Sequence, residues 1–306
     1  MNNFNLAIVS LLLPFVACSG GAKAGADATT SDAAEPADAG CDNELDCATW
    51  IQSYEREVVS KLSGHSEISP GTTLRSRFSI PERDASRDYI ADELRAMGLS
   101  VELHNYGTGT NVFVRIPATV EGASLVLMGS HFDGIDDSPA AGDDGTGVAL
   151  VLAAARYFSE KEERANELLF AVFDQEENGL IGSQAFAEKM RQEEPGLAAA
   201  HIFDLISWDE DQDGAVELWS ADPGIEALYR EVAAEEGVAI ESVRFGSSDH
   251  ASFIGNGFAA VGVSEEFVSG DNNPFYHTID DTYENVNFDY LEYVSRFVFI
   301  VANRPQ

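Results

Sequence analysis

Basic residues are scarce in this chain of 306 residues: 18 lysines and arginines stand against 53 aspartates and glutamates, and the formal net charge is −35. A protein that binds nucleic acid needs clustered positive charge to neutralise phosphates, so this composition excludes that class. Hydrophobic residues still make up 44% of the chain, which is enough apolar surface to bury a large core. The composition therefore predicts a folded globular protein with one main domain.

Cysteine is also scarce, since only Cys18, Cys41 and Cys47 occur. All three lie before the main domain, so a cysteine nucleophile and a thiolate zinc site are excluded within that domain. Cys41 and Cys47 flank the segment DNELD. In an exported protein, two cysteines this close predict a small disulfide in preference to a metal-binding pair.

The N-terminus lacks a hydrophobic run of the roughly 20 residues that a helix needs to cross a bilayer, because its uncharged run covers residues 6–17 only. This run predicts a signal peptide over residues 1–17, although no lysine or arginine precedes it. Residues 15–18, FVAC, resemble a bacterial lipobox, which implies a lipid on Cys18 and a place in the bacterial cell envelope, at the outer membrane or in the periplasm. An ordinary cleaved signal peptide with secretion is the alternative.

Residues 19–40 contain no valine, isoleucine, leucine, methionine or aromatic side chain. Such a segment has nothing to bury against the entropy cost of ordering it. We therefore interpret residues 18–47 as a lipidated flexible tether that ends in the small disulfide, and we expect membrane contact only through the lipid. Residues 48–306 are the predicted main domain.

Apolar residues at helical spacing predict helices within residues 50–62 and 89–97, and three short β-rich runs follow within residues 101–128. Strands and helices then alternate to the end of the chain. Helices are expected near residues 145–158, 181–190, 225–235 and 288–301, and strands near residues 168–173, 201–205 and 258–263. This alternation predicts an α/β fold with a mixed, mostly parallel central sheet and helices on both faces.

Residue types that bind metals follow the predicted strands, at the sheet edge where loops converge. Six of them follow strands and one precedes a helix in the motif GDDGTG: His131, Asp133, Glu176, Glu177, Asp204, His277 and, before the helix, Asp143. Taken singly, each has an ordinary explanation, such as a surface pair, a solvated charge run or a helix cap. Together, two histidines and three carboxylates suit two zinc ions, because imidazole and carboxylate both bind zinc and one carboxylate is able to bridge a pair.

Five motifs make this chain resemble a known family over residues 75–300. They are GSHFDG at 129–134, AGDDGTG at 141–147, FDQEENGLIGS at 173–183, SSDHASF at 247–253 and YHTIDDT at 276–282. In order and spacing they are similar to motifs of the co-catalytic two-zinc peptidases, a family that includes secreted bacterial leucine aminopeptidases, glutamate carboxypeptidase II and the glutaminyl cyclases. The resemblance implies that residues 48–306 are a zinc-exopeptidase-like catalytic domain.

The same resemblance implies two zinc ions per chain. Carried over residue by residue, it gives His131 and Asp204 to one ion and Glu177 and His277 to the other, with Asp143 bridging the two.

Further roles follow from the resemblance. Asp133 would orient the His131 ring by accepting its hydrogen bond. Glu176 would be the general base beside a hydroxide that bridges the metals. Tyr276 would donate to the oxyanion, with a packed tyrosine as the alternative. Ser248, Asp249 and His250 would lie in the substrate pocket or directly around it. The apolar residues Phe253, Phe258 and Phe275 are further candidates for the pocket, and a place in the hydrophobic core is the alternative for each of these three.

The implied activity is that of an exported metallo-exopeptidase acting on a peptide or small amide. An aminopeptidase is favoured, since acidic residues around a metal pair suit the α-ammonium of the substrate. The alternatives are a glutaminyl cyclase-like acyltransferase with one zinc ion, and a non-catalytic binding protein of the same fold. The intact ligands for two metals argue against the cyclase, and the complete ligand set together with Glu176 argues against the binding protein. The sequence makes no prediction about oligomeric state.

The acidic segment DEDQDG matches the first half of a calcium-binding loop. Its ligands would be Asp209, Asp211 and Asp213, with Glu217 as a later oxygen ligand. The twelfth position is Ser220 and not glutamate, so an EF-hand is not expected. The pattern predicts a structural calcium site, with a plain acidic turn as the alternative.

Overall fold

Eight strands form one sheet in the computed structural model, which describes Leu45 and residues 47–306. In chain order they are β1 (Glu102–Asn105), β2 (Thr110–Ile116), β3 (Leu125–His131), β4 (Glu167–Phe173), β5 (Leu197–Phe203), β6 (Val216–Trp219), β7 (Ile240–Val243) and β8 (Ala260–Ser264). Their order across the sheet is β1-β2-β4-β3-β5-β8-β6-β7.

The central strands β4, β3, β5 and β8 are parallel to one another, and so are β6 and β7. Antiparallel pairs join β1 to β2, β2 to β4 and β6 to β8. The predicted mixed sheet with a parallel centre is therefore confirmed. His131 and Phe173 are register partners at the ends of β3 and β4, so the turns that follow these strands start side by side.

Seven α-helices connect or flank the strands in the described part of the chain. They are α1 (Ile51–Leu62), α2 (Ile80–Ala96), α3 (Gly147–Glu160), α4 (Ile181–Glu193), α5 (Pro223–Glu236), α6 (His250–Gly255) and α7 (Phe288–Ala302). An irregular helical turn, Ala141–Thr146, leads into α3, and a short 3₁₀ turn, Tyr283–Asn285, precedes α7.

Each face of the sheet has its own hydrophobic core, because successive strand residues point to opposite faces. Phe170 and Val172 of β4 belong to the core that includes residues of α1, α2, α3, α5 and α7. Ala171 and Phe173 belong to the second core, which α4 and α6 cover. The prediction of helices on both faces is thus confirmed.

Three elements differ from the expected pattern. Helix α2 begins at Ile80 and not near residue 89; its first turn contains Pro81, and its first buried residues are the polar Arg83 and Ser86, so apolar spacing marks only its second half. Strand β7 is short and its residues are exposed or half-buried, which leaves no alternating apolar pattern to detect. Helix α6 is a short element inside a segment expected only to shape a pocket.

The predicted signal peptide, Cys18 with its predicted lipid, Cys41 and nearly all of the predicted tether lie outside the described residues. Cys47 is disulfide-bonded, and its pairing with Cys41 stays a prediction. In the part of the chain that the structure describes, no helix is both long and apolar enough to cross a membrane.

Candidate metal centre

The carboxyl ends of three adjacent parallel strands meet at one edge of the sheet, as expected for a ligand site of an α/β protein. Strand β3 ends at His131, β4 ends just before the turn that carries Glu176 and Glu177, and β5 ends one residue before Asp204. Asp143 reaches the same edge from the turn Ala141–Thr146. The loop after β8 brings His277, so all five predicted ligands lie together.

Asp143 lies between the two histidines. Its Oδ1 is 3.2 Å from His131 Nε2, and its Oδ2 is 3.1 Å from His277 Nε2. Each imidazole has a further carboxylate beside it: Asp204 Oδ1 is 3.7 Å from His131 Nε2, and Glu177 Oε2 is 3.2 Å from His277 Nε2. The structure thus brings together the five residues for which the sequence predicts a bridged two-ion site, with the Asp143 carboxylate between two histidine–carboxylate pairs.

Asp144 also comes close to this cluster, since ligand atoms of His131, Asp144 and Asp204 lie within 4.8 Å of one another. Its carboxylate is engaged elsewhere: it accepts the backbone N–H of Gly147 at 2.8 Å and that of His131 at 3.4 Å. Asp144 therefore ties the turn to α3 and to β3, and Asp143 is the residue of this pair that lies between the two histidines.

The turn that presents Asp143 is held by a carboxylate that the sequence analysis did not single out. Asp281 accepts the backbone N–H of Gly142 at 2.7 Å and that of Asp143 at 3.0 Å. A side chain at Gly142 would place its Cβ 2.6 Å from Ser207 Oγ, so the turn has no room for one. Asp281 lies in the motif YHTIDDT, four residues after the predicted ligand His277. This position within the motif is the sequence feature that pointed to a role for Asp281 at the site.

Buried Arg77 also supports the turn that presents Asp143, and the sequence did not predict this role. Its guanidinium donates to the backbone carbonyl oxygens of Leu62, Phe132 and Ala140 at 2.6–2.9 Å. Arg77 has no exposed surface. It lies before the motifs and outside the predicted helix, so no pattern marked it as functional.

Asp133 does more than face the His131 ring. Its Oδ1 is 3.5 Å from His131 Nδ1, but its two oxygens also accept the backbone N–H groups of Glu176 at 2.9 Å and Glu177 at 3.2 Å. Asp133 is fully buried. It therefore fixes the turn after β4 relative to the end of β3, and with it the predicted base and one predicted ligand.

The electrostatics of the cluster show an excess of negative charge. Burial lowers the pKa of His131, but Glu176 and the carboxylates that contact the ring raise it overall, well above its ordinary value. Hydrogen bonds to Asp143 and Glu177 raise the pKa of His277 to about 10. Burial, aided by neighbouring carboxylates and opposed by His131, raises the pKa of Glu176 to about 10. Divalent cations would offset this charge and would leave both imidazoles as neutral ligands.

A cavity of about 440 Å³ opens beside the five predicted ligands. Aromatic rings form much of its wall. The rings of Trp219, Phe245 and Phe267 contact one another with centroids 4.4–6.1 Å apart. Phe267 packs edge-on against Tyr276 at 4.8 Å, and Tyr276 stacks on His277 at 3.8 Å. A larger cavity of about 950 Å³ lies beside α7 and includes none of the five ligands.

The residues predicted to shape the pocket do not line this cavity. Phe253 is fully buried in the core that α4 and α6 cover, Phe258 packs against that core, and Phe275 contacts Trp208 edge-on. Asp249 is buried close enough to Glu176 to raise its pKa, and burial raises the pKa of Asp249 itself to about 7. The walls formed by Trp219, Phe245 and Phe267 were missed because Trp219 ends β6, Phe245 follows β7 and Phe267 follows β8, and the three residues share no sequence pattern.

The acidic segment predicted to bind calcium has two partners from another loop. Ligand atoms of Asp209 and Asp211 cluster with Asp271, and those of Asp211 and Asp213 cluster with Glu266. The prediction that Glu217 joins them is wrong, because its oxygens accept hydrogen bonds from Trp219, Val268 and Ser269. The calcium ion itself stays a prediction.

Residues 111–301 of this chain match the model of peptidase family M28. The chain belongs to peptidase family M28. The predicted resemblance to the zinc peptidases is thereby confirmed at the level of the family. All five motifs that carried it, from GSHFDG at 129–134 to YHTIDDT at 276–282, lie within the matched residues.

Curated relatives of this M28 chain are longer than it is. It is 31% identical over 220 residues to a probable leucine aminopeptidase of Trichophyton verrucosum, covering 66% of this chain and 59% of the relative. It is 26% identical over 197 residues to aminopeptidase YwaD of Bacillus subtilis, covering 60% of this chain and 42% of the relative. The chain thus spans about half the length of these relatives.

Solved structures show the same fold. The Legionella pneumophila LapA aminopeptidase matches with a TM-score of 0.72 and 20% identity, over 86% of this M28 chain and 75% of that one. The Porphyromonas gingivalis glutaminyl cyclase matches with a TM-score of 0.64 and 20% identity, over 82% of this chain and 96% of that one. The likeness establishes the zinc-aminopeptidase-like α/β fold.

Proposed function

We propose that this chain is a zinc-dependent aminopeptidase that removes the first residue of a peptide or small amide. The observation that carries the proposal is the position of Asp143, whose two oxygens face two different histidines, each beside a further carboxylate. Glu177 Oε1 and Asp204 Oδ1 are buried and have no hydrogen-bond partner among the described residues. Unpartnered buried carboxylate oxygens next to imidazole nitrogens fit zinc ligands, and we assign two zinc ions.

The relatives support the reaction class. Two of them bear the names probable leucine aminopeptidase and aminopeptidase YwaD, and a similar fold is titled a zinc aminopeptidase from Bacillus subtilis, with a TM-score of 0.71 at 14% identity. The acidic cleft is consistent with these names, because a substrate with a free α-ammonium brings positive charge to a group of carboxylates.

When bound, the two ions would polarise the scissile carbonyl and lower the pKa of the attacking water. Glu176 would take the proton from that water and pass it to the leaving amine. Its carboxyl is buried next to the ligand Glu177, and its backbone is fixed by Asp133, so the base is held close to the reacting atoms. The charge of two bound cations would lower the pKa of this buried carboxyl and so would favour the ionised form that accepts a proton.

Tyr276 would donate its hydroxyl hydrogen to the oxyanion. Its ring stacks on the ligand His277 with planes 20° apart, which fixes the direction of the side chain. Burial and the surrounding carboxylates raise the pKa of Tyr276 far above its ordinary value, so the phenol keeps its proton. A hydroxyl held in this state is a hydrogen-bond donor of the kind that stabilises developing negative charge.

A hydrolysis assay with matched substrates tests the proposal. Leucyl and phenylalanyl anilides should be cleaved, their N-acetylated counterparts should not, and a chelator should stop cleavage until zinc is restored. Equal cleavage of acetylated and free substrates would contradict the aminopeptidase assignment. Cyclisation of N-terminal glutamine without hydrolysis would identify a cyclase, and no turnover of any substrate would favour a binding protein.

We also propose that the chain is exported and held by a lipid on Cys18, with Cys41 and Cys47 forming a disulfide. The uncharged run in residues 6–17 and the FVAC segment support export and lipidation, and the bonded state of Cys47 supports the disulfide. Mass spectrometry of the full chain made in a bacterium should find Cys18 as the modified N-terminus. Cys18→Ala should release the protein from the membrane fraction, and an unmodified or earlier N-terminus in the parent would contradict the anchor.

A further inference from the structure

The carboxylate of Glu217 lies behind the wall of the cavity and is fully buried. Its Oε2 accepts the indole N–H of Trp219 at 2.6 Å and the backbone N–H of Val268 at 3.0 Å. Its Oε1 accepts the backbone N–H of Ser269 at 2.7 Å. One side chain of strand β6 therefore binds three donors, two of which belong to the loop after β8.

One of these donors, Trp219, borders the cavity without any exposed surface. The other two, Val268 and Ser269, come one and two residues after Phe267, which is half-buried and lines the cavity. Their rings contact each other, and Phe267 packs on Tyr276, which stacks on the ligand His277. A continuous row of rings thus runs from the Glu217 contact to the metal centre.

The loop that Glu217 holds is otherwise open to solvent. Val268 is 48% exposed, and Ser269 and Gly270 are exposed as well. Few buried contacts hold such a segment in place, so loss of its hydrogen bonds would free the loop without opening the core. Glutamine at position 217 would offer one acceptor oxygen, and its amide hydrogens would face an N–H donor.

We propose that Glu217 is a positioning residue of the substrate pocket, which fixes the wall formed by Trp219 and Phe267 and so sets a preference for a large apolar first side chain. This inference rests on the proposed aminopeptidase function. An aromatic wall held by a buried carboxylate keeps its shape before substrate arrives, which lowers the cost of binding a side chain that fills the cavity. An alanyl side chain is too short to use the same wall.

The test compares Glu217→Gln with Glu241→Gln in the full zinc-loaded chain. Glu241 is the register partner of Glu217 on strand β7 and is exposed, so it receives the same chemical change without the buried contacts. Glu217→Gln should raise KM for leucyl and phenylalanyl anilides about tenfold, as expected for losing a hydrogen bond to a charged group. The alanyl anilide should change less than about twofold, kcat should be nearly constant, and Glu241→Gln should match the parent.

An equal loss for all three substrates would overturn the inference, because it would show a general structural role. Trp219→Phe keeps an aromatic side chain and removes the indole N–H, and with it one of the three hydrogen bonds, so it should give a smaller shift in the same direction. It serves if Glu217→Gln does not fold. Amide hydrogen exchange across residues 267–270 gives a readout that needs no activity: it should speed up in Glu217→Gln and not in Glu241→Gln.

The two proposals fail in different ways. If the parent chain cleaves no aminoacyl anilide, the aminopeptidase proposal falls, and the substrate role of Glu217 falls with it. If the parent is active and Glu217→Gln leaves the ratio of the phenylalanyl to the alanyl KM unchanged, only the role of Glu217 is refuted.

Discussion

The carboxylate of Asp133 accepts the backbone N–H of Glu176 at 2.9 Å. Asp133 follows strand β3 and Glu176 follows strand β4, so this hydrogen bond joins the turns after two adjacent parallel strands. The same carboxylate also accepts the N–H of Glu177 and faces the ring of His131. One buried aspartate thereby sets the relative positions of a ligand from each proposed zinc ion and of the proposed base.

Asp133→Asn is expected to lower both zinc affinity and activity about 10- to 100-fold, as is typical when a partner of a metal ligand is changed. Asparagine has one acceptor oxygen, and its amide group would face an N–H of the turn. Zinc affinity by competition with a chelator and kcat/KM are the measurements. Asp136→Asn is the control, since that residue is exposed and pairs with Arg75. Parent-like values for Asp133→Asn would show that the hydrogen bonds to the turn are dispensable.

Glu176→Gln is expected to lower kcat about 10²- to 10⁴-fold while zinc content stays at the parent level. The amide keeps the shape of the side chain but is not able to accept a proton. Steady-state kinetics and metal analysis of the same samples check this, with the exposed Glu188→Gln on α4 as control. Loss of zinc along with activity would instead make Glu176 a ligand.

Arg77→Lys is expected to lower the free energy of unfolding by about 2 to 5 kcal/mol, because a lysine is not able to reach the carbonyl oxygens of Leu62, Phe132 and Ala140 together. Urea unfolding measures the change. Arg75→Lys is a matched control two residues away, and it should leave stability almost unchanged because its pairs with Asp136 and Asp137 are exposed to solvent. Similar losses in both variants would refute the special role of the buried guanidinium.

Glu55 of α1 is expected to make stability fall as pH rises. Burial raises its pKa to about 8, against lowering contributions from the Ser295 hydrogen bond and Arg296, while Glu292 raises it further. The folded state therefore holds a proton that the unfolded state releases near pH 4.5, and this contribution is lost as pH rises to about 8.

Urea unfolding at several pH values from about 5 to about 9 tests the assignment of the raised pKa to Glu55. Between about pH 5 and about pH 8, the stability of the parent chain should fall by up to about 1.4 kcal/mol per pH unit more than that of Glu55→Gln, and above that range the two slopes should converge. Glu57→Gln, an exposed change on the same helix, should follow the parent. Parallel curves for the parent and Glu55→Gln would show that Glu55 ionises normally in the folded protein.

The sequence predicted most of the sheet and the place where the ligands meet, since both depend on local patterns. Buried parallel strands such as β4 are continuous apolar runs, and the residues that follow them lie at one sheet edge by topology alone. Helix α2 was only half visible because Arg83 and Ser86, both polar, occupy its buried face near the start. Arg83 pairs there with Asp174 at 3.0 Å.

The supporting residues were harder to predict because their roles depend on contacts across the chain. Arg77, Asp281 and Glu217 each bind backbone N–H or carbonyl groups of segments far away in sequence. A buried charge that binds backbone groups has no period and no fixed spacing. Glu217 looked like a calcium ligand because an acidic loop precedes it, and only the fold shows that it points to Trp219 and the loop after β8.

The central claim is that Asp143 bridges two zinc ions, and anomalous diffraction at the zinc absorption edge tests it most directly. Crystals of the zinc-loaded chain should show two peaks about 3.5 to 4 Å apart, one beside each oxygen of Asp143. One of them should lie next to His131 and Asp204, and the other next to His277 and Glu177. A single peak, or two peaks that do not share Asp143, would contradict the account.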